Sequence, residues 1–115
     1  MVYDTFMFFN EIDLLELRLE YLSPVVDKFV IVEANETHAG KSKDYLLEPV
    51  LKTRFKQYDD KIEYIKIAFP IWMKNAMERD RFQRSCLTQG IRSNNIDDII
   101  LVSDLDEIPM KDIIF

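Results

Sequence analysis

Two aspartates flanking a single leucine, Asp104-Leu105-Asp106, follow the short apolar run Ile99-Ile100-Leu101-Val102, with Ser103 between run and pair. Such a run reads as a buried strand, and a strand that ends in carboxylates delivers them to the edge of a sheet. If the chain turns there, both can share one divalent ion. Hard Mg2+ or Mn2+ prefers oxygen ligands and keeps positions open for phosphate. The pair could therefore hold the cation that neutralises a departing diphosphate. The same carboxylates could instead cap a helix started by Pro109, or solvate a turn. Spacing alone leaves both readings open.

Other arrangements fit less well. A phosphatase of the haloacid dehalogenase type also ends an apolar strand in Asp-x-Asp, the first Asp being the nucleophile. That pattern expects Thr or Val two residues after the second Asp, where Ile108 stands. Gly40-Lys41-Ser42 has the close of a phosphate-binding P-loop, but Asn35 occupies the position of its first glycine, and Pro49 spoils the helix that should follow. Arg79, Arg81 and Arg84 alternate with Glu78 and Asp80, the pattern of a solvated, ion-paired helix face, from which one arginine could still be aimed at a ligand. Glu33 either accepts hydrogen bonds from a ribose or base, or is an ordinary strand-end carboxylate. His38, the sole histidine, reads as a loop residue, and Phe69 and Trp72 as packing or as a stacking platform.

The elements that must position these groups alternate in type. Thr5 to Phe9 is a short apolar run. After Asn10, Asp13 can cap a helix with Glu16 in capping-box spacing, and Leu15, Leu19 and Leu22 give that helix a buried face. Phe29 to Val32 is a continuous apolar, partly β-branched strand ending at Glu33, followed by a polar loop from Ala34 to Asp44. The pattern predicts a helix from Pro49 to Tyr58, a strand from Ile62 to Phe69, and a helix from Glu78 to Gln89 with Phe82 and Cys86 on its apolar side and Gly90 ending it. Strands alternating with helices imply an α/β fold with a mainly parallel sheet, which binds ligands at the carboxyl ends of its strands.

Composition sets the outer bounds. At 115 residues the chain is one domain or part of one, able to bury roughly two-thirds of its unfolded surface. With 48% hydrophobic residues and only two glycines it has the profile of an ordered globular protein. The net charge of −6, without a long basic run, argues against a nucleic-acid partner. A lone cysteine, Cys86, excludes an internal disulfide and a Cys-based zinc site. No stretch approaches the ~20 apolar residues of a membrane span. The apolar ending Asp112-Ile113-Ile114-Phe115 raises the expectation that the domain continues past it, in a longer parent or a partner chain.

Several of these segments occur together in a known family. Tyr3-Asp4-Thr5-Phe6, Phe9-Asn10-Glu11, Leu14-Leu15-Glu16-Leu17-Arg18, Val32-Glu33-Ala34-Asn35-Glu36-Thr37 and Ser103-Asp104-Leu105-Asp106-Glu107-Ile108-Pro109, in this order, resemble glycosyltransferase family 17. The resemblance implies a GT-A-like, Rossmann-like fold, with residues 1–115 forming the donor-binding part of a single glycosyltransferase domain. It also implies a UDP-sugar donor carrying GlcNAc, a glycan acceptor as in N-glycan processing, dependence on Mn2+ or Mg2+, and inversion at the anomeric carbon. By position, Asp106 would bind the metal directly and Asp104 would support metal or ribose. Asn10 and Glu11 would lie beside the nucleotide at the end of the first strand, Glu33 and Asn35 at the end of the second, and Arg84 would reach toward the donor.

The chain departs from the family pattern at Met77-Glu78-Arg79-Asp80, where Trp-x-Arg-Glu is expected. The acceptor groove and catalytic base are expected in a region beyond the acidic motif, so no base is assigned here. Glu107 adjoins the pair, yet nothing in the sequence aims it at an acceptor hydroxyl. The alternative is a non-catalytic nucleotide-binding fragment that works with a partner chain. The expected location is cytoplasmic, or the Golgi lumen if a membrane anchor lies outside this chain.

Overall fold

The computed structural model describes residues 1–37, 40–70, 72–73, 75–91 and 97–110. His38 and the final segment Asp112–Phe115 lie outside them. Four strands, β1 (Val2–Phe8), β2 (Lys28–Ala34), β3 (Ile62–Ile67) and β4 (Ile99–Val102), pair in the order β3-β2-β1-β4, and every pairing is parallel. Helix α1 (Ile12–Leu22) links β1 to β2, and α2 (Ala76–Ser85) with a following 3-10 turn precedes β4. The α/β class expected from the alternating pattern is the one observed.

The chain steps outward from β1 to β2 and β3, then returns to the far side of β1 to lay down β4. The reversal makes the β1/β4 junction a topological switch point, where the loops leaving adjacent strands diverge and open a crevice at their carboxyl ends.

Strand periodicity sorts the core onto two faces. From β1, Val2, Phe6 and Phe8 join Phe29 and Ile31 of β2 against Leu15, Leu19 and Leu22 of α1. The opposite face sets Val32, Ala34 and Ile67 against Phe69, Met73, Cys86 and Leu87. Burial raises the Cys86 thiol above its usual pKa, as an enclosed thiol that ionises poorly should behave.

Three local expectations are corrected. Asp13 does not cap α1: the cap position falls on Glu11 and makes no side-chain cap hydrogen bond. Asp13 and Glu16 instead both bind Arg54, which draws their carboxylates off the helix end. Second, no α-helix spans Pro49–Tyr58. Two 3-10 turns, Glu48–Val50 and Lys56–Lys61, occupy that stretch. The Thr53 hydroxyl bonds back to the carbonyls of Pro49 and Val50, competing with a regular ladder. The helical spacing of Leu47, Leu51, Phe55 and Tyr58 still buries those four side chains. Third, β4 is an exposed edge and not a buried strand. Among the described residues it pairs only with β1, and Val102 is 61% exposed.

Among the described residues no helix is long and apolar enough to cross a membrane. Gly40, with φ +89°, turns the loop after β2 through hydrogen bonds between Thr37 and both Gly40 and Lys41. A Cβ there would meet the Arg79 guanidinium at 3.0 Å, so Gly40-Lys41-Ser42 is an exposed turn against which Arg79 rests.

Candidate functional site

At the end of β4 the chain makes a tight turn. The Glu107 amide donates to the Asp104 carbonyl at 2.9 Å, and the Asp104 amide donates to the Glu107 carboxylate at 3.0 Å. Leu105, at the turn's centre, is buried in the α1-side core. With Leu105 anchored inward, the aspartates on either side face out, Asp104 half-exposed and Asp106 exposed.

The turn is gripped from below by Arg18. This arginine occupies the apolar stripe of α1, between Leu15 and Leu22, and is completely buried. Its Nε and Nη2 donate to the two carboxylate oxygens of Asp4, at 2.8 and 2.6 Å, and Asp4 is equally buried on the α1-facing side of β1. Nη1 donates to the carbonyls of Asp104 at 2.7 Å and Leu105 at 3.1 Å, and Nη2 also to the Ser103 hydroxyl at 2.7 Å. The guanidinium lies 4.4 Å from the centre of the Phe6 ring. A buried ion pair persists only where further hydrogen bonds occupy its remaining donors and acceptors. Here the main chain of the acidic turn supplies them, which ties the turn's conformation to β1 and α1.

The crevice above this turn has a volume of about 480 Å³. Met7, Phe9, Glu11 and Leu14 line it from the end of β1 and the start of α1, Asp80 and Arg84 from α2, and Asp104, Leu105 and Asp106 from the turn. It therefore sits at the β1/β4 switch point. Arg84 bridges two of its walls, donating from Nε to Asp80 at 3.2 Å and from Nη2 to Asp104 at 3.0 Å. These contacts, Asp80 first and Asp104 second, raise the Arg84 pKa. Four carboxylates, those of Glu11, Asp80, Asp104 and Asp106, face one guanidinium. A crevice so charged disfavours a bare anion and favours a cation.

The donor chemistry fits such a cation. Among the described residues no group of three or more His, Cys, Asp or Glu side chains forms a complete metal cage. Two outward carboxylates are the set expected for Mg2+ or Mn2+ that completes its shell with water and ligand phosphate.

The other expected site residues divide between crevice and scaffold. Glu11 and Arg84 line the crevice with Asp104 and Asp106. Asn10 is exposed just after β1, its amide 3.4 Å from the Glu11 carboxylate. Asn35 lies beyond β2, and its backbone is held by Ile67 and Lys43; its buried Oδ1 has no hydrogen-bond partner among the described residues. Glu33, expected either to meet a ribose or base or to be a strand-end carboxylate, takes its hydrogen bonds from the protein itself. Glu33 is completely buried, and its carboxylate accepts from Lys43 Nζ, the amides of Leu46 and Leu47, and the Tyr64 hydroxyl, all at 2.6 to 3.1 Å. Those four donors pin the loop after β2 to the sheet and leave no accessible oxygen. Burial first, and Glu33 second, push the Tyr64 hydroxyl well above the usual tyrosine range.

Arg18, Asp4 and Ser103 are the residues that a reading for exposed chemistry misses. A visible signal exists: position 18 continues the buried spacing of Leu15, Leu19 and Leu22, and a charge on an apolar stripe demands a buried counter-charge.

Sheet, switch point and crevice together define an α/β protein with a charged crevice at the carboxyl ends of its strands. Within that class, the chain belongs to glycosyltransferase family 17, whose family model matches residues 1–115. It is 31% identical over 110 residues to the β-1,4-mannosyl-glycoprotein 4-β-N-acetylglucosaminyltransferase of Homo sapiens, an alignment covering 90% of this chain and 21% of the relative. The enzyme of the same name from Rattus norvegicus is also 31% identical over 110 residues, with 90% of this chain and 20% of the relative covered. The chain thus spans about a fifth of the length of these relatives. No solved structure gives a significant match.

Proposed function

We propose that this chain is the donor-binding part of a glycosyltransferase of the GT-A type, which transfers a sugar, GlcNAc by likeness to its relatives, from a UDP-sugar to a glycan acceptor with inversion. The observation that carries this reading is the outward placement of Asp104 and Asp106 around the buried Leu105, in an acidic crevice at the switch point of a parallel sheet. Asp106 and Asp104 would hold Mn2+ or Mg2+, which when bound offsets the charge of the departing diphosphate. Arg84 stands on the opposite wall, where its donors can add to that neutralisation. Arg18 fixes the main chain on which both aspartates ride.

Calorimetry tests the reading directly. UDP binding should require Mn2+ and should be lost in Asp106→Ala, with the thermal midpoint unchanged because Asp106 is exposed. Equal UDP affinity with and without Mn2+ would overturn it.

A further inference from the structure

Asp104 already carries a positive partner. Its Oδ1 accepts from Arg84 Nη2 at 3.0 Å, whereas Asp106 makes no ion pair among the described residues. A divalent ion seated on both aspartates would meet the Arg84 guanidinium at a shared carboxylate, and two cations on one half-exposed carboxylate repel each other. The pair is easily opened, since its side chains are 41% and 49% exposed and exposed ion pairs are weak. Arg84 would not swing away on release. Asp80, one helical turn earlier, still accepts from its Nε at 3.2 Å and keeps the guanidinium on the crevice wall.

We propose that Arg84 is an exchangeable counter-ion of Asp104: it neutralises Asp104 while the crevice is empty, and transfers its freed Nη2 donor to the diphosphate when a divalent cation takes its place. The proposal rests on the reading of the crevice as a cation and nucleotide-diphosphate site, and adds to it an order of events. The planar guanidinium suits the second role, because its donors match pairs of phosphate oxygens. Cation and nucleotide then assist each other through Arg84 as well as through direct contact, and such assistance is reciprocal.

Arg84→Gln in the full chain gives opposite signs for the two ligands. Mn2+ alone should bind about two- to fivefold more tightly, because its competitor at Asp104 is gone. UDP at saturating Mn2+ should bind roughly tenfold or more weakly, because a charged donor to phosphate is lost. Arg84→Lys, which retains the charge, should leave Mn2+ affinity near that of the parent and recover part of the UDP affinity. Electron paramagnetic resonance of free Mn2+ and calorimetry with UDP read the two affinities separately, without turnover. If the parent protein takes up neither Mn2+ nor UDP, the nucleotide reading itself falls, and this inference with it. If the parent binds both while Arg84→Gln weakens both, or leaves Mn2+ binding unchanged, the exchange is refuted and the nucleotide reading stands.

Discussion

The buried guanidinium of Arg18 holds the main-chain carbonyl of Asp104 at 2.7 Å, joining residues 86 positions apart in sequence. The acidic turn is therefore set by a side chain that itself never reaches the crevice. Arg18→Leu should destabilise the fold by about 3–5 kcal/mol, since it strands the Asp4 carboxylate in the core. Combining Asp4→Leu with Arg18→Met should recover much of that loss, because an apolar pair needs no desolvation of charge. UDP affinity should stay depressed in the double variant, whose Asp104–Leu105 carbonyls have lost their donor. Urea denaturation and calorimetry together check this; full recovery of both properties would reduce Arg18 to a packing residue.

Glu33 offers a contrasting case. Its carboxylate accepts four hydrogen bonds from the loop after β2 and from Tyr64. Glu33→Gln turns one acceptor group into a donor facing donors, and should destabilise the protein by about 2–3 kcal/mol. On the proposed reading of the crevice, the folded fraction should bind UDP with Mn2+ as the parent does, because Glu33 lies outside the crevice. A selective fall in affinity at unchanged stability would return Glu33 to the ligand site.

Tyr64 should show in alkaline solution. Its folded pKa is raised above the ordinary value of 10.0, by burial and then by the Glu33 carboxylate. The hydroxyl is thus harder to ionise in the folded state than in the unfolded one. Its contribution is complete below the unfolded pKa of about 10 and declines as pH climbs above it toward the folded value. Stability measured by denaturant across this window should fall with pH, and Tyr64→Phe should fall less steeply. Equal slopes would remove Tyr64 as the cause.

Much of the sheet could be read from the chain because strands leave a local mark. Phe29–Val32 and Ile99–Val102 are apolar runs bounded by polar breaks and fall on observed strands, and Ile62–Phe69, in which Glu63 and Lys66 interrupt the apolar residues, covers β3 and overruns it by two residues. The order β3-β2-β1-β4 and the open side of β4 leave no such mark, since both are properties of pairing. The stretch 49–58 has helical spacing without an α-helix, because burial of Leu47, Leu51, Phe55 and Tyr58 constrains a face and not a hydrogen-bond ladder. At the crevice, residue type and spacing mark Asp104 and Asp106 as carboxylates at the end of a strand, and the structure puts both on the crevice wall. The two readings of Glu33 stay undivided in the sequence because its partners Lys43 and Tyr64 come from 10 and 31 positions away, and Arg18 is overlooked because Asp4 and the turn it holds meet only in three dimensions.

The long reach of Arg18 also dates the crevice in the life of the molecule. Its bonds to Ser103, Asp104 and Leu105 span 85 to 87 positions, and contacts so remote in sequence close late, after the intervening chain has lost its freedom. Helix α1 and the β1–β2 pair it connects can assemble while the Asp104–Glu107 segment is still unshaped. Refolding followed by backbone signal should therefore run ahead of refolding followed by ligand capture, and a nucleotide that needs this turn would select only chains whose two ends have already met.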